Sequence, residues 1–169
     1  MKPSKEFIEV DISRKTDYAL RMLAMLAEGN KSLLSVRTAA EAVDVPYSFA
    51  RSIQHGLVQA GIVESLRGVR GGMRLRLKPS EITIRQIVEA VQGPLVMNDC
   101  TADEGMCPRM ECCCYHPIWA GAQELLRDYL DSVTLDDVVN HRQYPAVDVK
   151  FTDRDRFVEY ASCGKVCGK

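Results

Sequence analysis

No stretch of this chain holds the ~18–20 consecutive apolar residues that a bilayer-spanning helix needs, so no membrane span is expected. The opening residues, Met1 to Glu9, carry no apolar core ahead of a cleavage site, and no signal peptide is read there. A Ser/His/Asp nucleophile set is lacking, as are a phosphate-binding glycine loop and paired carboxylates beside a plausible pocket. An enzyme, or a metal-carrying scaffold, is therefore the weakest reading, and no small-molecule substrate is expected. The seven cysteines cannot form a fully paired disulfide framework, because their number is odd. With no secretory signal, the expected compartment is the reducing cytoplasm, where close thiols more often serve metal or redox chemistry.

What remains is ordinary in amount and uneven in distribution. The 169 residues suit one or two small domains, with 46% apolar and 27% charged side chains. Net charge is only −1, yet residues 1–90 carry fourteen Lys and Arg against ten Asp and Glu (+4), and residues 91–169 carry eight against thirteen (−5). An anionic partner is thus expected to meet the first half.

Ser13 or Thr16 can cap a helix running to about Glu28, with Tyr18, Ala19, Met22, Leu23 and Leu26 at three- and four-residue spacing. Gly29-Asn30 is read as its end. A short helix follows from about Val36 to Val43, then a tight turn at Asp44-Val45-Pro46, then a helix to about Ala60. Phe49, Ile53, Leu57 and Ala60 are expected on the inner face of that helix, and Ser48, Arg51, His55 and Gln59 on the outer one. Two short helices joined by a tight turn predict a helix-turn-helix whose second helix enters the major groove.

Ile62–Leu66 and Met73–Leu77 alternate as two strands around the glycine-rich turn 67–72. A hairpin directly after a helix-turn-helix makes a winged helix. Arg67, Arg70, Arg74, Arg76 and Lys78 are expected to give the hairpin five positive charges and no negative ones, and suit phosphate or minor-groove contact. Candidate DNA contacts are Tyr47, Ser48, Arg51 and His55 on the helix, and Arg67, Arg70 and Arg74 on the wing. Beyond the wing, Glu81–Gln92 reads as an amphipathic helix with Thr83 as its cap and Ile84, Ile87, Val88 and Val91 inward. A long helix opens at His116-Pro117 and runs to about Ser132 with a broad apolar stripe, which predicts a dimer interface. Thr134–Val139 reads as a short capped helix.

Between these helices lies the most unusual stretch. Five of the seven cysteines and one of the three histidines fall within Cys100–His116. Thiolate and imidazole are ligands for zinc and iron–sulfur clusters. The segment has almost no apolar side chains with which to order itself, and a bound metal is the simplest organiser. The expected division is a winged helix-turn-helix domain at 10–93, a cysteine-rich loop at 94–116 and a dimerisation helix with a capping helix at 117–140. The remainder, 141–169, reads as a disordered tail with two incidental thiols, Cys163 and Cys167, a metal or redox pair being the alternative. The fold class is mainly α with a small β-hairpin wing.

Five sequence features occur together and in order: Lys-Thr-Asp-Tyr-Ala-Leu-Arg at 15–21, Leu-Arg-Gly-Val-Arg-Gly-Gly at 66–72, Ile-Val-Glu-Ala-Val-Gln-Gly at 87–93, the cysteine segment, and Thr-Leu-Asp-Asp-Val-Val at 134–139. From about Val10 to Val139 the chain therefore resembles the winged-helix iron–sulfur transcriptional regulators of the Rrf-two family, of the IscR, NsrR and RirA type. The resemblance implies a cytoplasmic homodimer on near-palindromic operator DNA. It also implies an iron–sulfur cluster, 2Fe–2S or 4Fe–4S, that senses iron, redox state or nitric oxide. Cys100, Cys107 and Cys113 are the implied ligands, although six residues separate the first two where five are usual. Cys112 and Cys114 are alternatives to Cys113. The implied fourth ligand is His116, as in IscR-like members, or Asp17 of the partner subunit, as in NsrR-like members. Ser48, Arg51 and Arg67 occupy the family's DNA-contact positions. Arg51 stands where IscR-like members have an acidic residue, which implies a different operator, since arginine prefers guanine. A cluster-free thiol switch or a zinc site on the same fold is the alternative.

Overall fold

The computed structural model describes residues 12–28, 33–68, 71–102, 107, 113–140 and 144–145. Residues 1–11, Gly29-Asn30, Arg70, Cys112 and the tail with Cys163 and Cys167 lie outside them. The described chain is mostly helical with one two-stranded hairpin, in the order α1 (Arg14–Glu28), α2 (Val36–Ala42), α3 (Tyr47–Gln59), β1 (Val63–Leu66), β2 (Gly72–Leu75), a 3₁₀ turn (Pro79–Glu81), α4 (Ile84–Gln92), α5 (Asp99–Ala102), α6 (His116–Ser132) and α7 (Leu135–Val139).

Two compact units divide the chain. The first spans Asp11–Leu95 and Arg127–Pro145 and contains the winged helix. Its helices start where side chains can satisfy the orphan amides of a first turn. Ser13 Oγ accepts from Thr16 N at 3.3 Å, Ser35 Oγ from Thr38 N at 3.0 Å and Thr83 Oγ1 from Gln86 N at 3.2 Å. Ser13 is thus the cap of α1. Thr16 is instead fully buried, and its hydroxyl donates to Gln92 Oε1 at 2.7 Å, fastening α1 to the end of α4. The turn between α2 and α3 places Asp44 in the left-handed region, at φ 53°, where Asp is among the few non-glycine residues tolerated.

The core of this unit collects Met22 and Leu23 of α1, Ile53 and Leu57 of α3, Val63 and Met73 of the hairpin, Ile82, Ile87 of α4 and Leu135 of α7, each under 2% exposed. α3 departs from its expected inner face. Ala50, Ile53, Gln54 and Leu57 are buried, whereas Phe49 is 50% exposed and Ala60 also faces solvent. Gln54 can occupy the interior because its amide finds a partner there, donating to Ser65 Oγ of β1 at 3.1 Å. Seating α3 on α4 requires a glycine at position 56, where a Cβ would lie 2.4 Å from Ala90 O.

The hairpin pairs antiparallel, with Glu64 opposite Arg74 and Ser65 opposite Met73, and Leu34 adds a bridge to Met73. α7 belongs with the winged helix. Leu135 N donates to Ile82 O at 2.8 Å, and Thr83 and Thr134 form an isolated antiparallel bridge. The last turns of α6 are held there too, because Asp131 accepts from Thr83 Oγ1 at 3.1 Å and pairs with Arg85 at 2.8 Å.

Among the described residues, the second unit is Val96–Leu126, made of α5 and the first ten or so residues of α6. α6 opens at His116 and closes at Ser132, as the sequence led one to expect. Its buried side chain is polar, Gln123, while Ile118 (58%), Trp119 (39%) and Leu125 (49%) lie exposed. No described helix is long and apolar enough to cross a membrane.

Candidate DNA-reading surface and cysteine site

On α3, Ser48, Arg51 and His55 are exposed, as the outer-face assignment expects, and Tyr47 is exposed beside them. Arg67 is exposed at the start of the wing turn, next to Gly68, whose φ of +119° only glycine adopts without strain. Arg70 lies outside the described residues. Arg74 is occupied: across the hairpin its Nε is hydrogen-bonded to Glu64 Oε1, so one wing arginine is partly neutralised by an acid on the partner strand. The expectation of a hairpin with no negative charge is thus corrected: Glu64 lies on its outgoing strand, opposite Arg74.

The cysteine segment is built around Gln123. Its Oε1 accepts from Met97 N and its Nε2 donates to Thr101 O, both at 3.0 Å, so one buried amide holds the chain on either side of Cys100 to α6. α5, which carries Cys100, is started by Asn98, whose Oδ1 accepts from Asp99 N at 2.8 Å. Cys100, Cys107 and Cys113 are half-buried and free, and Cys114 is free and exposed. Burial pushes the Cys100 thiol above its ordinary pKa, and charge on Cys107 and then on Cys113 pushes the same way. Cys100 is therefore close enough to Cys107 and Cys113 for charge on either to act on it. His116 Nδ1 is buried without a hydrogen-bond partner among the described residues. Cys112 lies outside them, and Asp17 belongs to the other unit, on α1, where it pairs with Arg21 at 2.8 Å.

As donors, soft sulfur with one imidazole nitrogen suits an iron–sulfur cluster or zinc. Among the described residues, no group of three or more Cys, His, Asp or Glu side chains is gathered closely enough to hold a metal ion. The fit lies in the kind of donor, in the charge that Cys107 and Cys113 bring to bear on Cys100 and in the unpartnered imidazole nitrogen, not in a closed cage.

A helix-turn-helix followed at once by a two-stranded wing, with exposed basic and polar side chains on its reading helix, defines a winged-helix DNA-binding protein. Residues 12–141 match the Rrf2 family, described as an iron-dependent transcriptional regulator, and the chain belongs to that family. It is 33% identical over 132 residues to the protein aau3 of Rhizobium meliloti, covering 78% of this chain and 86% of that one. It is 32% identical over 146 residues to the HTH-type transcriptional repressor NsrR of Streptomyces coelicolor, covering 85% and 97%. The solved structure of CymR, the global cysteine regulator of B. subtilis, superposes with a TM-score of 0.61 at 26% identity, covering 79% and 98%. The chain is thus a transcriptional regulator rather than an enzyme.

Proposed function

We propose that the chain is a homodimeric cytoplasmic regulator whose affinity for a near-palindromic operator is set by an iron–sulfur cluster in the cysteine segment. What supports the reading is the nearness of Cys107 and Cys113 to Cys100, whose thiol feels charge on both, together with the unpartnered Nδ1 of His116. These three cysteines would hold the cluster, with His116 or Asp17 of the partner subunit as the fourth ligand. Cys114, exposed where Cys113 is half-buried, is the weaker alternative to Cys113. Bound there, the cluster would supply a centre whose integrity responds to iron supply, redox poise or nitric oxide.

The chain's own residues supply the rest. Gln123 ties the Cys100 segment to α6, and α6 continues to Asp131, which Arg85 and Thr83 of the reading unit grip. Loss of order at Cys100 would therefore act on a helix that ends in the reading unit. A change of only about 1.4 kcal/mol in the binding-competent state is enough to alter occupancy tenfold. The exposed Ile118, Trp119 and Leu125 support a two-subunit assembly, since covering the apolar surface they leave open is favourable in proportion to its area. Arg51 and Arg67, both exposed, would read and clamp the operator.

Anaerobic purification with measurement of the visible spectrum and of iron, sulfide and zinc tests the reading. Brown protein with nearly equal iron and sulfide is expected. A colourless zinc protein, or a metal-free one after attempted reconstitution, defeats it. A second reading, a thiol switch without a cluster, draws on the likeness to CymR and on the four free cysteines among the described residues. Under it, metal-free protein would change operator affinity between its reduced and oxidised forms.

A further inference from the structure

Arg37 is absent from the DNA contacts that the sequence points to. It is the second residue of α2, in the first helix of the helix-turn-helix, and it is exposed. Its guanidinium carbon lies 4.9 Å from the centroid of the Tyr47 ring, within the range of a cation–π contact. Tyr47 is the first residue of the reading helix and is itself 44% exposed.

Among the described residues, several arginines are consumed by acids: Arg21 by Asp17, Arg74 by Glu64, and Arg85 by Glu89 and Asp131. No described carboxylate pairs with Arg37; its contact is the Tyr47 face. Stacking occupies the face of a guanidinium and leaves its in-plane N–H donors available, the geometry that suits a phosphate. In helix-turn-helix docking the first helix crosses the sugar–phosphate backbone while the second reads base edges. An arginine of the first helix, laid on the opening residue of the second, stands where those two roles meet.

We propose that Arg37 is a phosphate-contacting residue of the DNA interface and that Tyr47 is the positioning residue that orients it. The inference rests on the DNA-reading role of α3. Arg37 adds affinity that does not depend on base sequence, and Ser48 and Arg51 remain the base readers. The contact with the Tyr47 ring restrains the guanidinium, so less freedom is lost when a phosphate is met.

The test uses full-length protein purified without oxygen. Its probes are a duplex that the wild type selects from a random library and a scrambled duplex of the same length. Arg37→Ala should weaken binding to both by about tenfold and lower the slope of log affinity against log salt by about one. Tyr47→Leu should weaken both by about two- to fivefold, and Arg37→Ala with Tyr47→Leu should be no worse than Arg37→Ala alone. Thermal melts of each variant establish that the unit is folded.

An unchanged salt slope in Arg37→Ala overturns the phosphate contact. So does a loss confined to the selected duplex, which would make Arg37 a base reader. Additive effects of the two substitutions overturn the positioning role of Tyr47. Wild-type protein that ignores both duplexes would instead refute the DNA-reading assignment of α3, and this inference with it.

Discussion

Replacing Gly56 by Ala tests whether the reading helix owes its seat to a missing methyl group. A Cβ at position 56 would stand 2.4 Å from Ala90 O, and ordinary contact begins near 3.4 Å, so α3 and α4 must separate by about one ångström at that point. The clash is with backbone, which no rotamer change relieves. Overpacking of this kind costs about 1–3 kcal/mol. The gain in helix propensity from Gly to Ala returns about 0.8–1 kcal/mol. Because two backbones must move, the upper part of the range applies, and the expected net loss is about 1–2 kcal/mol. For a unit of this size, that lowers Tm by about 5–10 °C. Ser52→Ala, on the exposed side of the same helix, is the control and should stay within about 0.5 kcal/mol of wild type. Urea titrations followed by far-ultraviolet circular dichroism measure both. A Gly56→Ala protein as stable as Ser52→Ala would refute the close seating of α3 on α4.

Glu64→Gln should release Arg74, raise duplex affinity and steepen its salt dependence; gel-shift titration at several salt concentrations reads both, and unchanged binding means that Arg74 never faces DNA. Asp131 is held below the ordinary aspartate value of 3.8, first by its hydrogen bond from Arg85 and then, against the opposing effect of burial, by Thr83. A depressed carboxyl stabilises the fold at pH above its unfolded value and loses that contribution as pH falls through the lower folded one. Asp131→Asn should therefore be less stable at neutral pH and show a flatter acid limb below pH 3.8, as measured by melts across pH. Leu125→Glu should convert a dimer into a monomer in analytical ultracentrifugation while the winged helix keeps its melting transition; a variant that remains dimeric moves the interface off that face of α6.

The elements that depend on local pattern were legible. α6 begins at His116, where proline fits a first turn, and ends at Ser132. The hairpin lies where alternation and glycines put it, though β1 and β2 are only four residues each. α5 was not foreseen, because four residues give no helical period to detect. Phe49 was placed inward for being apolar. The interior took Gln54 instead, and that became possible only when the fold brought Ser65 to meet its amide. Gln123 is hidden for the same kind of reason, since the chain around Cys100 supplies both of its partners. Spacing and family pattern marked Cys100, Cys107 and Cys113. No sequence pattern marked the neutralisation of Arg74, which arises from the register of two strands, or the stacking of Arg37 on Tyr47, which needs two helices to meet.

The course of the chain around the cysteine segment has an evolutionary consequence. The reading unit is left at Leu95 and re-entered at Arg127, and Arg127 Nη2 donates to Leu95 O at 3.2 Å, so exit and return are clasped together. Residues 96–126 are in effect an excursion whose ends already touch. Closing such an excursion costs free energy that grows only as the logarithm of its length, and one added residue in about thirty costs roughly 0.03 kcal/mol. The sixth residue between Cys100 and Cys107 is therefore almost free to the domain that binds DNA. Selection can lengthen, shorten or re-equip the cysteine segment, trying new spacings, while the winged helix is left unaltered.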